Sequence, residues 1–321
     1  MNKGERTISS SARRTVKITA PATVANMVCG FDVLGMALND PQDIMELSLS
    51  DEPGIRIKHI DEYDLPTEPA QNVAGAGLIA LMHEYDDKKI GFDLTVNKCI
   101  KPGSGLGSSA ASSAGAVVAA NHLLNDFFSK EDLVRFAMNG EKLASGVKHA
   151  DNIAPCIYGG VTLIRSIFPL DIIQLSAPPM FVTVVHPQIE VKTSDARQIL
   201  RKEVLLKDAI KQWGNIAGLV AGFMKGDYGL ISRSLEDVII EPVRSILIPG
   251  FDEVKKNSKE AGALGGGISG SGPSIFMLSK EEAVARQIEI VMKSIYEKVG
   301  IDFKTYVTTL NHEGVKIVDS V

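Results

Sequence analysis

The sequence has few of the features that mark membrane-spanning, secreted or nucleic-acid-binding proteins. Its three cysteines, Cys29, Cys99 and Cys156, lie too far apart to suggest a disulfide framework or a set of metal ligands. No apolar run approaches the roughly 20 residues that a membrane-spanning helix requires, and residues 1–14 lack the apolar segment of a secretory signal. The formal net charge is −5, and lysines and arginines never run beyond two in a row, which argues against nucleic acid as a partner. These absences favour a protein of the reducing cytoplasm without a membrane or nucleic-acid partner.

What the sequence does contain is typical of a mixed α and β protein. With 321 residues, of which 45% are hydrophobic and 23% charged, it can form one large or two medium domains. Alternating apolar residues predict strands, and apolar residues at helical spacing predict helices. The strands are predicted at 15–20, 44–50, 55–60 and 92–98, and the helices at 73–85, 108–124 and 129–145. The spacing of Ser129 and Asp132 is that of a capping box at the start of the third helix.

The sequence pattern changes around residues 166–179, where Pro169, Pro178 and Pro179 interrupt short predicted strands. We therefore predict two domains, residues 1–168 and 169–321. The second domain is predicted to have strands at 172–175, 180–186, 263–268, 274–278 and 303–310, and helices at 193–205, 207–224, 227–237 and 251–261. A further long helix is predicted to open at Ser279 and Glu282. This order predicts a sheet with helices on one face.

The stretch "KPGSGLGSSAASSAG" (101–115) carries the strongest functional signal. Its glycines at 103, 105 and 107 permit positive φ and remove side-chain bulk, so that successive amide groups can curl around an anion. The loop leads into a helix whose first amides lack partners and whose dipole is positive at that end, which favours phosphate. The loop lacks the lysine of a Walker A motif and the spacing of a dinucleotide-binding fingerprint. The alternative is a glycine and serine turn that only allows close packing of the helix.

The segment "PGSGLGSSAASSAG" resembles the phosphate-binding loop of the GHMP kinase superfamily, and 20–38 and 267–276 resemble two other segments of that family in the same order. Segments 140–160, 193–200 and 240–250 resemble its homoserine kinase branch in particular. The resemblance implies an α+β fold of two domains, an N-terminal mixed α/β domain with the phosphate loop and a C-terminal ferredoxin-like α/β sandwich. It implies ATP-dependent phosphorylation of the side-chain hydroxyl of L-homoserine, in threonine biosynthesis, with Mg²⁺. It also allows a homodimer.

The resemblance places three groups of residues around ATP and magnesium. The phosphate loop comprises Pro102, Gly103, Ser104, Gly105, Leu106, Gly107, Ser108, Ser109 and Ala110. Ser109 and Glu141 would hold Mg²⁺, which prefers hard oxygen ligands, and Asn72 and Lys98, which look like exposed polar residues, would lie near the adenine. Glu141 could instead be an ordinary residue of a solvated helix surface.

Homoserine is a small zwitterion, so its pocket needs a clamp for the carboxylate and an acceptor for the ammonium group. Arg197 and Arg244 could form the clamp, because guanidinium grips a carboxylate in bidentate fashion. Asn26 and Asp32 could take the ammonium group, and the resemblance adds other residues on this side. They are Glu141, His149 and Thr193. The alternatives are a turn closed by Asn26 and Asp32, surface ion pairs of the arginines, and a structural histidine.

The sequence departs from the mevalonate-type relatives at "HADNIAP" (149–155), where Asn152 takes the place of their basic aspartate. An amide is no useful base, and Asp151 is one residue away. Phosphoryl transfer tolerates this, because its loose transition state depends mainly on positioning and charge stabilisation. We therefore expect transfer without a dedicated catalytic aspartate, with Asn152 aiming the hydroxyl. The glycine-rich 265–274 is predicted to be a loop that leans over the site, or else a plain turn. Another GHMP small-molecule kinase and a non-catalytic nucleotide or metabolite sensor stay open as alternatives.

Overall fold

The computed structural model describes residues 15–87, 89–191 and 193–320, without the side chains of residues 193 and 194. The predicted features of residues 1–14 lie outside this part of the chain. The described strands are β1 (Thr15–Ala25), β2 (Leu34–Ser50), β3 (Gly54–His59), β4 (Gly91–Asn97), β5 (Val161–Ile167), β6 (Leu170–Leu175), β7 (Phe181–Pro187), β8 (Gly265–Ile268), β9 (Ile275–Ser279), β10 (Phe303–Thr309) and β11 (Lys316–Ser320). The described α-helices are α1 (Val73–Tyr85), α2 (Ser108–Leu123), α3 (Lys130–Ser145), α4 (Ile153–Tyr158), α5 (Thr193–Gln198), α6 (Leu206–Lys225), α7 (Tyr228–Ser234), α8 (Glu241–Arg244), α9 (Phe251–Glu260) and α10 (Glu282–Val299). None of the helices in these ranges is long and apolar enough to cross a membrane.

The first sheet has seven strands and is centred on the long strand β2. Its main path runs β11, β1, β2, β4 and β3, and β5 and β6 form a hairpin attached to the first residues of β2. All pairings are antiparallel except that of β3 with β4, which α1 joins as a crossover helix. Thus β2 pairs with β5 at one end and with β4 at the other, while β1 runs along both parts of it.

Helix α2 forms the centre of the first domain and is buried on nearly all sides, as its apolar character around the whole circumference predicts. It packs between β1 on one side and α1 and α3 on the other. Small residues make this close packing feasible: a side chain at Gly115 would collide with Met45, and one at Gly140 on α3 would collide with Ser113. The capping box of Ser129 and Asp132 at the start of α3 is confirmed. Because α3 lies so close to α2, Glu141 on α3 reaches the beginning of α2.

The second sheet has the strand order β10, β7, β9, β8 and is antiparallel throughout. With α5 to α9 between β7 and β8, and α10 between β9 and β10, this is the βαββαβ arrangement of a ferredoxin-like sandwich. The predicted ferredoxin-like fold of the second half is therefore confirmed. Helices α9 and α10 cover this sheet, with Ile288, Met292 and Tyr296 fully buried in its core.

Several predicted boundaries differ from the structure. The division after residue 168 falls in the turn of the β5–β6 hairpin, and strand pairing keeps β6 in the first sheet, so the change of sheet comes at 176–180. The helix predicted to run to residue 205 ends at Gln198, because residues 201–205 are exposed and have no core to cover. Ser279 is the last residue of β9, and α10 begins at Glu282.

The glycine-rich segment 265–274 is only partly the loop that its composition predicts. Gly265–Ile268 forms β8, and residues 269–274 form the loop that leads to β9. The glycines are needed in this strand because a Cβ at Gly266 would lie 2.0 Å from the carbonyl oxygen of Phe276, and one at Gly267 would lie 2.0 Å from Glu241 Oε2. Strand β11, which pairs with β1, has no counterpart in the prediction.

Candidate functional site

A cleft of about 340 Å³ lies where the two sheets meet, and most of the predicted site residues line it. Its walls are the loop before α2, the ends of α2 and α3, the turn between β1 and β2, and the loop between β8 and β9. The predicted residues that line it are Asn26, Asp32, Lys98, Pro102, Gly103, Ser104, Gly105, Gly107, Ser108, Ser109, Glu141, His149, Asn152, Arg197 and Arg244. Thr193 is the first residue of α5, and its side chain lies outside the described set.

The loop before α2 has the backbone that its glycines predict, with φ of +74°, +78° and +67° at residues 103, 105 and 107. Within the described ranges, the amides of these three glycines donate no hydrogen bond. Gly107 is also the N-cap of α2, where a Cβ would lie 1.9 Å from Thr23 Oγ1. The side chains of Leu106 and Ala110 point into the core, so these two predicted loop residues offer the cleft only backbone. The loop and helix together form a cradle for an anion.

The loop between β8 and β9 closes onto this cradle from the second domain. Ser269 Oγ donates a hydrogen bond to the carbonyl oxygen of Gly105 at 2.7 Å, and the amide of Ser274 donates to the carbonyl of Ser104 at 3.3 Å. A Cβ at Gly105 would lie 2.6 Å from the carbonyl oxygens of Ser269 and Gly272. Gly270 and Ser271 line the cleft itself. The two domains therefore touch through their glycine loops, directly beside the cradle.

Lys98 and Asn72 were expected to be exposed polar residues, and that expectation is wrong. The Lys98 ammonium forms a buried ion pair with Asp43 and donates to the carbonyl of Ser108 at 2.8 Å and to Ser112 Oγ at 2.9 Å. Because these bonds use all three of its donors, Lys98 anchors the first turn of α2.

Asn72 is the N-cap of α1. Its Oδ1 accepts hydrogen bonds from the amides of Ala74 and Gly75, and its Nδ2 donates to the carbonyl of Pro66. These contacts turn the side chain away from the cleft, which Val73 lines instead.

Ser109 and Glu141 bring two hard oxygen groups together at the first turn of α2. Ser109 Oγ donates to Glu141 Oε2 at 3.0 Å. Burial raises the pKa of Glu141, and the hydrogen bonds from Ser109 and Ser145 and the charge of Arg197 oppose this effect only in part. A cation near this carboxylate would offset the cost of its burial. The described residues contain no group of three or more His, Cys, Asp and Glu side chains that could hold a metal alone, so a cation here would need further oxygens from a bound phosphate.

Arg197 lies at the opposite side of the cleft, where it contacts both Asp32 and His149. Its Nη2 donates to Asp32 Oδ1 at 2.7 Å and to His149 Nε2 at 2.7 Å. Because arginine can only donate, Nε2 of His149 accepts, and this imidazole is neutral with its proton on Nδ1. Burial and the charge of Arg197 lower the pKa of His149, with Asp32 opposing them, in keeping with that assignment. The Arg197 Nε is buried and has no hydrogen-bond partner in the described chain.

Arg244 lies beside Arg197, and the ring of Phe31 supports both guanidinium groups. The ring centroid is 5.4 Å from Arg197 Cζ and 4.9 Å from Arg244 Cζ. Arg244 donates to the carbonyl oxygens of Ala196 and Gly270 at 2.9 and 3.3 Å. Burial lowers its pKa to about 10, with the charge of Arg197 acting in the same direction, so it stays charged at neutral pH. Two neighbouring cations on one aromatic platform form a strong anion site.

The turn between β1 and β2 carries Asn26, Phe31 and Asp32 in a strained backbone. Asn26, Val28 and Asp32 have φ of 71°, 69° and 61°, and a β-branched residue such as Val28 rarely adopts this conformation. Asn26 holds the turn together, since its Oδ1 accepts from the amide of Asp32 at 3.0 Å and its Nδ2 donates to the carbonyl of Gly270 at 2.8 Å. Phe31 was missed at the sequence level because a single aromatic residue in a turn has no periodic signal.

Asn152 lies between the cradle and the arginines. Thr23 Oγ1 donates to Asn152 Oδ1 at 2.7 Å, which fixes the amide so that its NH₂ group is left for the cleft. Thr23, a fully buried residue of β1, was also missed, because a threonine in a strand is ordinary. Asp151 lines the cleft as well and is buried. Desolvation, reinforced by the charges of Asp32 and Glu141, raises its pKa to about 7.

The chain is similar to known proteins over most of its length. The family profile described as "GHMP kinases N terminal domain" matches residues 72–160, and "GHMP kinases C terminal" matches residues 219–298. The homoserine kinase of Chloroherpeton thalassium is 44% identical over 312 residues, which cover 93% of this chain and 98% of that protein.

Solved structures show the same likeness. A crystal structure of homoserine kinase from Cytophaga hutchinsonii superimposes with a TM-score of 0.91 and 45% sequence identity, covering 99% of this chain and 100% of that one. The mevalonate kinase of L. major in complex with R-mevalonate has a TM-score of 0.70 at 15% identity, over 96% of this chain and 100% of that chain, and this likeness concerns the fold alone.

Proposed function

The chain belongs to the homoserine kinases of the GHMP kinase superfamily, and from this premise we propose how its cleft acts. It phosphorylates the side-chain hydroxyl of L-homoserine with ATP as co-substrate, which gives O-phospho-L-homoserine for threonine biosynthesis. The observation that best supports the proposed site is that one cleft is lined by the anion cradle, the Glu141 carboxylate and a pair of arginines. Each part matches one charged or reacting portion of the two substrates.

ATP binds with its phosphates in the cradle before α2. The amides of Gly103, Gly105 and Gly107 and the first turn of α2 bind the phosphate oxygens, and the helix dipole contributes further positive potential. The adenine and ribose extend toward the apolar end of the cleft, lined by Leu65 and Val73. We place no polar adenine contact on Asn72 or Lys98, since the hydrogen bonds of both are directed elsewhere.

Magnesium fits beside the phosphates. Ser109 and Glu141 would hold it, since both offer hard oxygens and the half-buried Glu141 carboxylate, whose pKa desolvation raises, is better accommodated next to a cation. When bound, the ion neutralises negative charge on the transferred phosphoryl group.

Homoserine binds with its carboxylate on Arg197 and Arg244. The side chains of Arg197 and Arg244 both line the cleft, and Phe31 keeps the two guanidinium groups side by side. The ammonium group binds toward Asp32, which already lies within reach of Arg197 and so links the recognition of both charges. This arrangement selects an amino acid over mevalonate, which has no ammonium group. A role for Thr193 on the same side stays a prediction.

The acceptor hydroxyl is aimed by Asn152. Its NH₂ group donates to the hydroxyl oxygen and holds it in line with the γ-phosphate, while Thr23 fixes the amide from behind. The amide takes no proton, and the loose transition state needs little help from a base, because proton loss comes late. Asp151, with its pKa near 7, is the side chain in this cleft best placed to accept that proton afterwards.

We also propose the cytoplasm as the site of action and a homodimer as the assembly, with no nucleic-acid partner. A formal charge of −5 without basic runs supports the last point.

The test is a coupled assay of ADP release with L-homoserine, mevalonate, galactose and shikimate as acceptors. We expect turnover with L-homoserine alone. Glu141→Gln should lower kcat at least about 100-fold, whereas Glu253→Gln, at an exposed position on α9, should leave it unchanged. Preference for mevalonate would favour the other small-molecule kinases, and nucleotide binding without turnover of any acceptor would favour the sensor.

A further inference from the structure

Helix α6 carries an exposed apolar stripe that the active site does not use. Leu206 is 68% exposed, Ile210 56%, Trp213 60% and Met224 57%, and Ala217 and Val220 complete the row. The opposite face of the helix, with Leu219 and Phe223, is buried against the domain. The six residues follow each other at alternating intervals of four and three, which is the spacing of a heptad seam. Apart from the half-buried Val220, this apolar row is exposed, and such a row marks an interaction surface.

We propose that a second copy of this chain packs on the stripe, antiparallel, about a two-fold axis near the middle of α6. The alternating intervals read the same in both directions along the helix, so the stripe matches its own reversed copy. This pairing sets Leu206 opposite Met224 of the partner subunit, Ile210 opposite the partner's Val220, and Trp213 opposite the partner's Ala217. A surface that complements itself in this way is what an isologous dimer requires. The inference rests on the proposed homodimer and assigns its surface.

The size of the side chains fits this arrangement. An open apolar groove of about 510 Å³ lies beside Trp213 and is lined by Leu163, Ile216, Ala217, Val220 and Ala221. The two-fold axis brings the indole of each subunit toward the groove of the other, large side chain against small ones. Gly214 on the same side of α6 adds no bulk.

The area and the charges also suit a second copy. The four large side chains of the stripe together expose on the order of 500 Å², and the neighbouring Val204 and Leu205 are 46% and 61% exposed. This approaches the roughly 800 Å² that each partner contributes to a standard stable interface. Of the charges close to the stripe, Lys211 is paired with Glu236 at 2.6 Å within the same subunit. A largely apolar centre with a polar rim is typical of dimer interfaces.

The test uses Trp213 itself, the single tryptophan of the chain. In a concentration series, we expect the native protein to sediment with twice the 34.5 kDa mass of the monomer, and its tryptophan emission to shift to longer wavelength on dilution as the indole meets water. Ile210→Glu should weaken association at least about 100-fold, because it places a charge within the apolar stripe, opposite the partner's Val220. The control, Ile290→Glu, changes an equally exposed isoleucine on α10 and should leave the dimer intact. Circular dichroism checks that both variants fold.

Cross-linking provides a second readout that does not depend on a disruptive substitution. In a Cys99→Ser background, which removes the exposed native cysteine, Ala217→Cys should give covalent dimers with a short bismaleimide, and Ile290→Cys should not. A native protein that stays monomeric throughout the series would overturn both the homodimer and its surface. A dimer that survives Ile210→Glu and gives no cross-link at residue 217 would overturn the surface alone. Neither result would touch the kinase activity, which the ADP-release assay measures separately.

Discussion

The side-chain amide of Asn152 offers an oxygen and an NH₂ group. Its oxygen accepts a hydrogen bond from Thr23, which lies on β1, far away in the sequence. Thr23 Oγ1 binds Asn152 Oδ1 and at the same time lies against Gly107. One buried hydroxyl therefore positions both the amide that we propose aims the acceptor and the glycine at the N-cap of α2. Thr23 is a positioning residue, because it acts through these neighbours.

We predict that Thr23→Val lowers kcat about 10-fold and changes the KM for ATP little, since about 1.4 kcal/mol is a reasonable value for one aiming hydrogen bond. Asn152→Ala should lower kcat at least as much, and the double variant should be no worse than Asn152→Ala alone, because Thr23 acts only through this amide. Thr15→Val is the matched control on β1, since its hydroxyl binds Ser48 away from the cleft. Steady-state kinetics that show additive losses would contradict this coupling.

The buried carboxyl of Asp151 makes stability depend on pH. Its pKa is about 7 in the folded protein against an ordinary value of 3.8, so between these values the folded chain holds a proton that the unfolded chain has released. The free energy of unfolding should therefore fall as the pH rises through this window, by at most about 1.4 kcal/mol for each pH unit.

Asp151→Asn removes this titration and should become more stable than the native protein as the pH rises from about 4 to about 7, with a constant advantage above that range. Urea unfolding at a series of pH values measures the difference, and Asp252→Asn, at an exposed position on α9, is the control. An advantage that does not vary with pH would mean that the buried charge is not its cause.

The glycines of the cradle share a positive φ but differ in how much free space surrounds them. A Cβ at Gly107 would collide with Thr23, whereas a Cβ at Gly103 would meet nothing within 4 Å. Both residues have positive φ, so substitution strains both by about 1 kcal/mol, but only Gly107 adds a collision.

We predict that Gly107→Ala weakens ADP binding at least about 100-fold, while Gly103→Ala weakens it about 10-fold or less. Calorimetric titration with ADP measures both affinities. Equal losses in the two variants would show that backbone strain alone, rather than the contact with Thr23, determines the shape of the cradle.

The elements of this fold differ in how far the sequence predicts them. Helices α1, α2 and α3 and the glycine loop are local patterns, and their predicted positions agree closely with the structure. The ion pair of Lys98 with Asp43 and the capping role of Asn72 depend on contacts that no local pattern encodes. The role of Phe31 could not be predicted for the same reason, because its ring contacts Arg197 and Arg244, which come from helices far away in the sequence. These features depend on contacts between residues far apart in the sequence, and local sequence patterns do not predict such contacts.

Strand β11 joins the last part of the described chain to its first strand, because residues 316–320 pair with β1. Ile317 is half-buried and packs on the first core, whereas its neighbour Val318 is 56% exposed. Since β1 also carries Thr23 and continues into the turn at Asn26, damage to this edge should reach the cleft.

We predict that Ile317→Asp lowers the free energy of unfolding by about 2–3 kcal/mol, because it removes a half-buried aliphatic side chain and places a charge against the core. Val318→Asp, on the opposite face of the same strand, should cost less than about 0.5 kcal/mol. Urea unfolding measures both, and similar losses would show that β11 is not held by its inward side chain.

The pairing of β11 with β1 also sets an order of events during synthesis. Nearly three hundred residues separate the two strands, so the ribosome releases β1 long before its outer neighbour exists. Until then β1 presents an open edge to other nascent chains, which is a hazard for unfinished sheets. The N-terminal half of the enzyme, although encoded first, can thus complete its sheet only after the other half has been made.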